Sequence, residues 1–93
     1  MYMMRDQFKK YLIQKGYKEK TESGKPSTVE DYCKRIDFVC DVEHCSWDQL
    51  AQNIDEVVYR YDIGGSQEDI GNRSHRAVIN ALKRFQEFCR LLP

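Results

Sequence analysis

The final quarter of the chain does most to restrict its fold. Val78, Ala81, Leu82, Phe85, Phe88, Cys89 and Leu92 recur at spacings of three and four. That period places them on one face of an α-helix, and an apolar stripe this wide must be covered by other elements. Two earlier segments repeat the pattern. Phe8, Tyr11 and Leu12 share a face between Arg5 and Lys15, and Gly16 follows where a helix C-cap belongs. Val29, Tyr32, Cys33, Ile36, Val39 and Cys40 predict a helix from about Thr28 to Glu43. Ser27-Thr28-Val29-Glu30 opens it as a capping box, and Pro26 prevents it from extending backwards. Residues 17–26 are polar, contain Gly24 and Pro26, and read as a loop.

The middle of the chain is built from shorter pieces. Ser46-Trp47-Asp48-Gln49 is a second capping box, and Trp47, Leu50 and Ile54 follow as a short apolar stripe. Asp55 then caps a segment carrying Val57, Val58 and Tyr61. Residues 57–61 have high β-propensity, but a lone strand has no partner here, so the segment reads as helix. Gly64-Gly65 ends it, residues 64–72 form a second loop, and either Asn72 or Ser74 opens the last helix. The expected fold is therefore all-α, a compact bundle of four to five helices forming a single domain over residues 1–93. Ninety-three residues leave no room for a second independent core. Pro93 follows directly behind the last helix, as it would in a domain cut from a longer protein.

Composition narrows the function classes. Apolar residues make up 41 % of the chain and charged residues 32 %, a mixture that favours a folded domain over disorder. No run approaches the roughly 20 apolar residues of a membrane span. Charged residues interrupt the N-terminus at Arg5 and Asp6, so no secretory h-region is present and a cytoplasmic location is expected. In that setting Cys33, Cys40, Cys45 and Cys89 read as reduced thiols, with Cys33, Cys40 and Cys89 on apolar helix faces. A zinc site would need Cys40, His44 and Cys45. Their spacing is not that of paired CxxC knuckles, and neighbours such as His44 and Cys45 point apart on a helix. No metal or cofactor is expected, and no Gly-rich phosphate loop, HExxH or Ser-His-Asp arrangement is present.

A net charge of zero hides a partition. Residues 1–35 hold nine Lys/Arg against five acids, residues 36–70 hold only Arg60 against nine acids, and residues 71–93 hold five bases against Glu87. The isoelectric point of about 6.7 is low for a nucleic-acid-binding domain, yet the distribution permits one basic face. Arg73, Arg76, Asn80, Lys83 and Arg90 recur at three, four or seven on the side opposite Leu82 and Phe85. Such a stripe suits a phosphate backbone or a major groove, and equally an ordinary solvated helix face. The acidic middle would repel DNA and confine binding to one side.

The order of these motifs resembles the N-terminal core-binding domain of the tyrosine recombinases, the phage-integrase family, whose fold is SAM-like and helical. A first helix of the form F-x-x-Y-L ending in Gly matches Phe8, Tyr11, Leu12 and Gly16. A Ser/Thr cap leading into T-V-x-x-Y matches Ser27, Thr28, Val29 and Tyr32, with Ile36 and Phe38 after it. Trp47 and Leu50 match the short middle segment. Ser74, Ala81, Leu82, Lys83, Phe85 and Phe88 match the last helix. The resemblance covers roughly residues 6–90 and implies a non-catalytic DNA clamp whose second and last helices approach the major groove. It implies Lys25, Ser27, Thr28, Lys34 and Arg35 as the DNA-facing residues of the second helix. Arg73, Ser74, His75, Arg76, Asn80, Lys83 and Arg84 would serve from the last. Double-stranded DNA is the implied partner, with a C-terminal catalytic domain or other recombinase subunits beside it.

In that family the chemistry resides in the separate catalytic domain, with an Arg, a His-x-x-Arg element and a Tyr nucleophile. That set is not assembled in these residues, so no enzymatic activity is expected. A competing expectation is a protein-interaction or regulatory module of a mobile element that does not bind DNA. For it the acidic stretch 36–70, with Tyr59, Tyr61 and the loop 62–70 exposed, would meet a basic partner.

Overall fold

The computed structural model describes residues 3–18 and 28–92. Lys25, Pro26 and Ser27, and with them the capping box expected at Ser27, lie outside the described residues. The described residues form six helices and no strand: α1 (Met4–Gln14), α2 (Thr28–Glu43), α3 (Trp47–Gln52), α4 (Ile54–Tyr61), α5 (Glu68–Gly71) and α6 (Arg73–Arg90). The all-α expectation holds, and α3 and α4 are both helical. One helix was not foreseen, because α5 is a single turn inside the segment 64–72 that reads as loop.

The periodic faces meet in one core. Phe8, Leu12, Cys33, Ile36, Leu50, Tyr61, Ile79, Leu82 and Phe85 are all buried. An aromatic cluster sits at its centre, where the Phe8 ring meets Phe85 edge-on at 5.2 Å and Trp47 meets Phe85 at 5.3 Å. Truncating such a ring to alanine costs about 3–5 kcal/mol, so Phe85 is a keystone of the fold. The last helix packs against each of the other five. Arg73 stacks over Phe38 at 5.7 Å, while Arg84 acts on Tyr32, so α6 runs antiparallel to α2. Asp37 ties three helices together: it accepts from Arg5 of α1 at 3.0 Å and from the Trp47 indole N–H of α3 at 2.9 Å.

The caps follow the sequence only in part. Ser46 and Gln49 form the expected capping box, with Gln49 N–H donating to Ser46 Oγ at 3.1 Å and Ser46 N–H to Gln49 Oε1 at 2.9 Å. Asn53, not Asp55, precedes α4, and its side chain makes no cap bond there. α1 ends in a Schellman turn around left-handed Gly16, with Tyr17 N–H returning to the Leu12 carbonyl at 3.1 Å. α2 ends in the same turn around left-handed His44, with Cys45 N–H returning to the Cys40 carbonyl at 3.0 Å. Between α4 and α5 the backbone doubles back tightly, and a Cβ on buried Gly71 would collide with the Tyr61 carbonyl.

Tyr61 is wholly buried, which overturns its expected exposure; Tyr59 is 78 % exposed, as expected. The Tyr61 hydroxyl donates to Glu43 at 2.9 Å, and Glu43 also pairs with Arg60. These contacts fasten the end of α2 to the end of α4.

Candidate nucleic-acid interface

The start of α6 is unlike the rest of the helix. Ser74, His75 and Arg76 have φ of 54°, 58° and 66°, a full left-handed turn made without glycine. Each such residue costs on the order of 1 kcal/mol, so something must hold the turn. Arg76 does much of this, with its N–H on the Asn72 carbonyl at 3.0 Å and its guanidinium on Asn72 Oδ1 at 3.0 Å and Asp62 Oδ1 at 3.2 Å. The right-handed helix starts only at Ala77. A stripe counted at three, four and seven from Arg73 presupposes right-handed turns throughout, so the expected single line of basic residues is broken at its N-terminal end.

The basic residues divide between two flanks of α6. On one flank Arg76 and Lys83 converge on Asp62, Lys83 Nζ lying 3.2 Å from its Oδ2. The Ile63 backbone N–H, then Lys83 and Arg76, hold the Asp62 carboxyl below its ordinary range. One acid from the middle segment thus spans two of the expected DNA contacts. On the flank turned to α2 stand Arg73 and Arg84. Arg73 is exposed, lies over the Phe38 ring and has no acidic partner among the described residues. Arg84 pairs with Glu87 at 2.7 Å, and Glu87 also accepts from Tyr11.

From α2, Thr28 is exposed at the first helical position. Lys34 and Arg35 pair one turn back with Glu30 at 3.8 Å and Asp31 at 3.6 Å. Ser74, His75 and Asn80 are exposed on α6. The α2–α6 packing therefore gathers Arg73 with Phe38 and brings Arg84 towards Tyr32, whereas Arg76 and Lys83 turn to the acidic middle. Sequence reasoning missed Phe38 as the platform under Arg73. Its half-buried place on the flank of the α2 stripe was the available signal.

No helix among the described residues is long and apolar enough to cross a membrane. Comparison with family models, with curated proteins and with solved structures finds no match to this chain.

Proposed function

We propose that the chain is a non-catalytic, duplex-DNA-binding domain of the tyrosine-recombinase core-binding type, gripping DNA with the antiparallel pair α2 and α6. The observation that carries this reading is Arg73: an exposed guanidinium with no acidic partner among the described residues, lying over the Phe38 ring at 5.7 Å. A guanidinium resting over a ring has less side-chain entropy left to lose when it meets a phosphate. Asn80 and Thr28 add exposed hydrogen-bonding groups on the same helices. Lys34, Arg35 and Arg84 are held in partly exposed pairs worth about 0–1 kcal/mol each, so a phosphate can recruit them cheaply. The acids of the middle segment, nine between residues 36 and 70 against Arg60 alone, then orient the domain by repulsion.

The test is fluorescence anisotropy with labelled random-sequence duplex over a salt series. Binding should weaken steeply with salt, and Arg73→Ala should lower affinity and reduce the slope of log K against log salt by about 1. Absence of salt-sensitive binding overturns the reading. A second reading, a protein-interaction module, is favoured by one observation: Tyr59 and Ile63 are 78 % and 70 % exposed in the acidic stretch. It predicts no DNA affinity and complex formation with a basic protein partner.

A further inference from the structure

The end of α2 places two cysteines together. In a Schellman turn the residue beyond the left-handed position folds back over the residue five earlier, and those two side chains normally make an apolar contact. In α2 the left-handed residue is His44, and the two contacting positions are Cys40 and Cys45. The 3.0 Å hydrogen bond from Cys45 N–H to the Cys40 carbonyl limits their Cα separation. With standard bond lengths the limit is about 7 Å, close to the upper end of the range that disulfides span. The two thiols are close enough for each to act on the other's titration. Cys40 is buried, and Cys45 lies partly exposed in the wall of a cavity of about 250 Å³ with Glu43, Leu50 and Arg60. Among the described residues no group of three or more His, Cys, Asp or Glu side chains is placed to hold a metal ion. The pair therefore reads as a dithiol and not as half of a metal cage.

We infer that Cys40 and Cys45 form a thiol–disulfide exchange site, with Cys45 as the accessible attacking thiol and Cys40 as the buried resolving thiol. The oxidant is a low-molecular-weight disulfide such as glutathione disulfide. Cys45 gives its proton to solvent, and its thiolate attacks one sulfur of that disulfide. The old S–S bond breaks, and one glutathione thiolate leaves and takes up a proton. Cys40 then loses its proton, attacks the Cys45 sulfur and displaces the second glutathione. The protein loses two protons and two electrons, and glutathione disulfide takes them up to become two glutathiones. Burial raises both thiols above their ordinary range, Cys40 to about 12, so exchange is slow at neutral pH and faster in mild alkali. Cys45 is the partly exposed member of the pair and Cys40 the buried one, which makes Cys45 the first to meet the oxidant.

The experiment equilibrates the folded protein in glutathione buffers from reducing to oxidising, quenches with acid, alkylates under denaturing conditions and maps tryptic peptides by mass. The peptide from Ile36 to Arg60 contains Cys40 and Cys45 and neither of the other cysteines. At oxidising poise it should carry no alkyl group and weigh two hydrogens less than the unmodified dithiol peptide, and after reduction it should take up two alkyl groups, while Cys33 and Cys89 are alkylated throughout. A Cys33→Ser/Cys89→Ser double variant should behave identically, and Cys45→Ser should leave Cys40 alkylated at every poise without unfolding the chain. Accumulation of a stable glutathione adduct on Cys45, disulfides that involve Cys33 or Cys89, or an unchanged peptide at full oxidation would each overturn the assignment.

Discussion

α1 closes on Gly16 and α2 closes on His44, with the same pair of backbone hydrogen bonds around each. At α1 the left-handed residue is the one that adopts that conformation freely, so the turn carries no backbone strain. At α2 a residue with a Cβ is forced into it at φ 53°. Beside that turn Glu43 fastens the helix end to Arg60 and to the buried Tyr61 hydroxyl. The two ends teach that a helix stop can be written locally, by a glycine, or imposed from elsewhere in the fold. The imposed version depends on its tertiary anchors and carries the dithiol.

The largest way to break the comparison is to remove the anchor. Glu43→Ala leaves Arg60 and Tyr61 without their acceptor and should cost about 2 kcal/mol, read as a melting temperature lower by about 10 °C. The same carboxylate predicts a pH dependence. Hydrogen bonds from Arg60 and then Tyr61 hold Glu43 below its ordinary value of 4.5. The stability it contributes is therefore complete above that value and is lost as pH falls through the depressed one. Thermal melts from pH 6 downward should show a shallower acid loss in Glu43→Gln than in the parent.

The next test removes the local stop. A Cβ at Gly16 meets nothing within 4 Å, so Gly16→Ala isolates the penalty of the left-handed backbone, about 1–2 kcal/mol in urea unfolding. The smallest effect runs in the opposite direction. His44→Gly relieves strain in the folded state while adding freedom to the unfolded one, and should leave a net gain of about 0.5 kcal/mol. A loss on His44→Gly would mean that the histidine side chain itself supports the turn.

The sequence carried the elements whose signals are local. The α6 stripe, the Ser46–Gln49 box and the glycine behind α1 each specify an element through neighbours within one or two turns, and all three stand as read. The missed features depend on distant partners. The end of α2 at Glu43 stands as read, but nothing near His44 announces a left-handed residue without glycine, nor does Ser74-His75-Arg76 announce a left-handed turn. That turn is held by Asp62, fourteen residues before Arg76. The α5 turn escaped because four residues give no period to detect. Tyr61 looked exposed in a polar segment because its acceptor, Glu43, lies eighteen residues upstream. The DNA-facing set was legible as charge but not as pairing: composition counted Arg76 and Lys83 as free cations, and folding brings both to one carboxylate.

Because α6 packs against every other helix, synthesis imposes an order on this fold. A nascent chain emerging N-terminus first presents Phe8, Leu12 and Ile36 to solvent or to a chaperone before Phe85 and Phe88 exist to cover them. The domain cannot mature piecewise, since no earlier pair of helices closes the aromatic cluster. Its folding waits for the last helix to clear the ribosome, and a chain truncated before α6 would be recognised as a client for degradation.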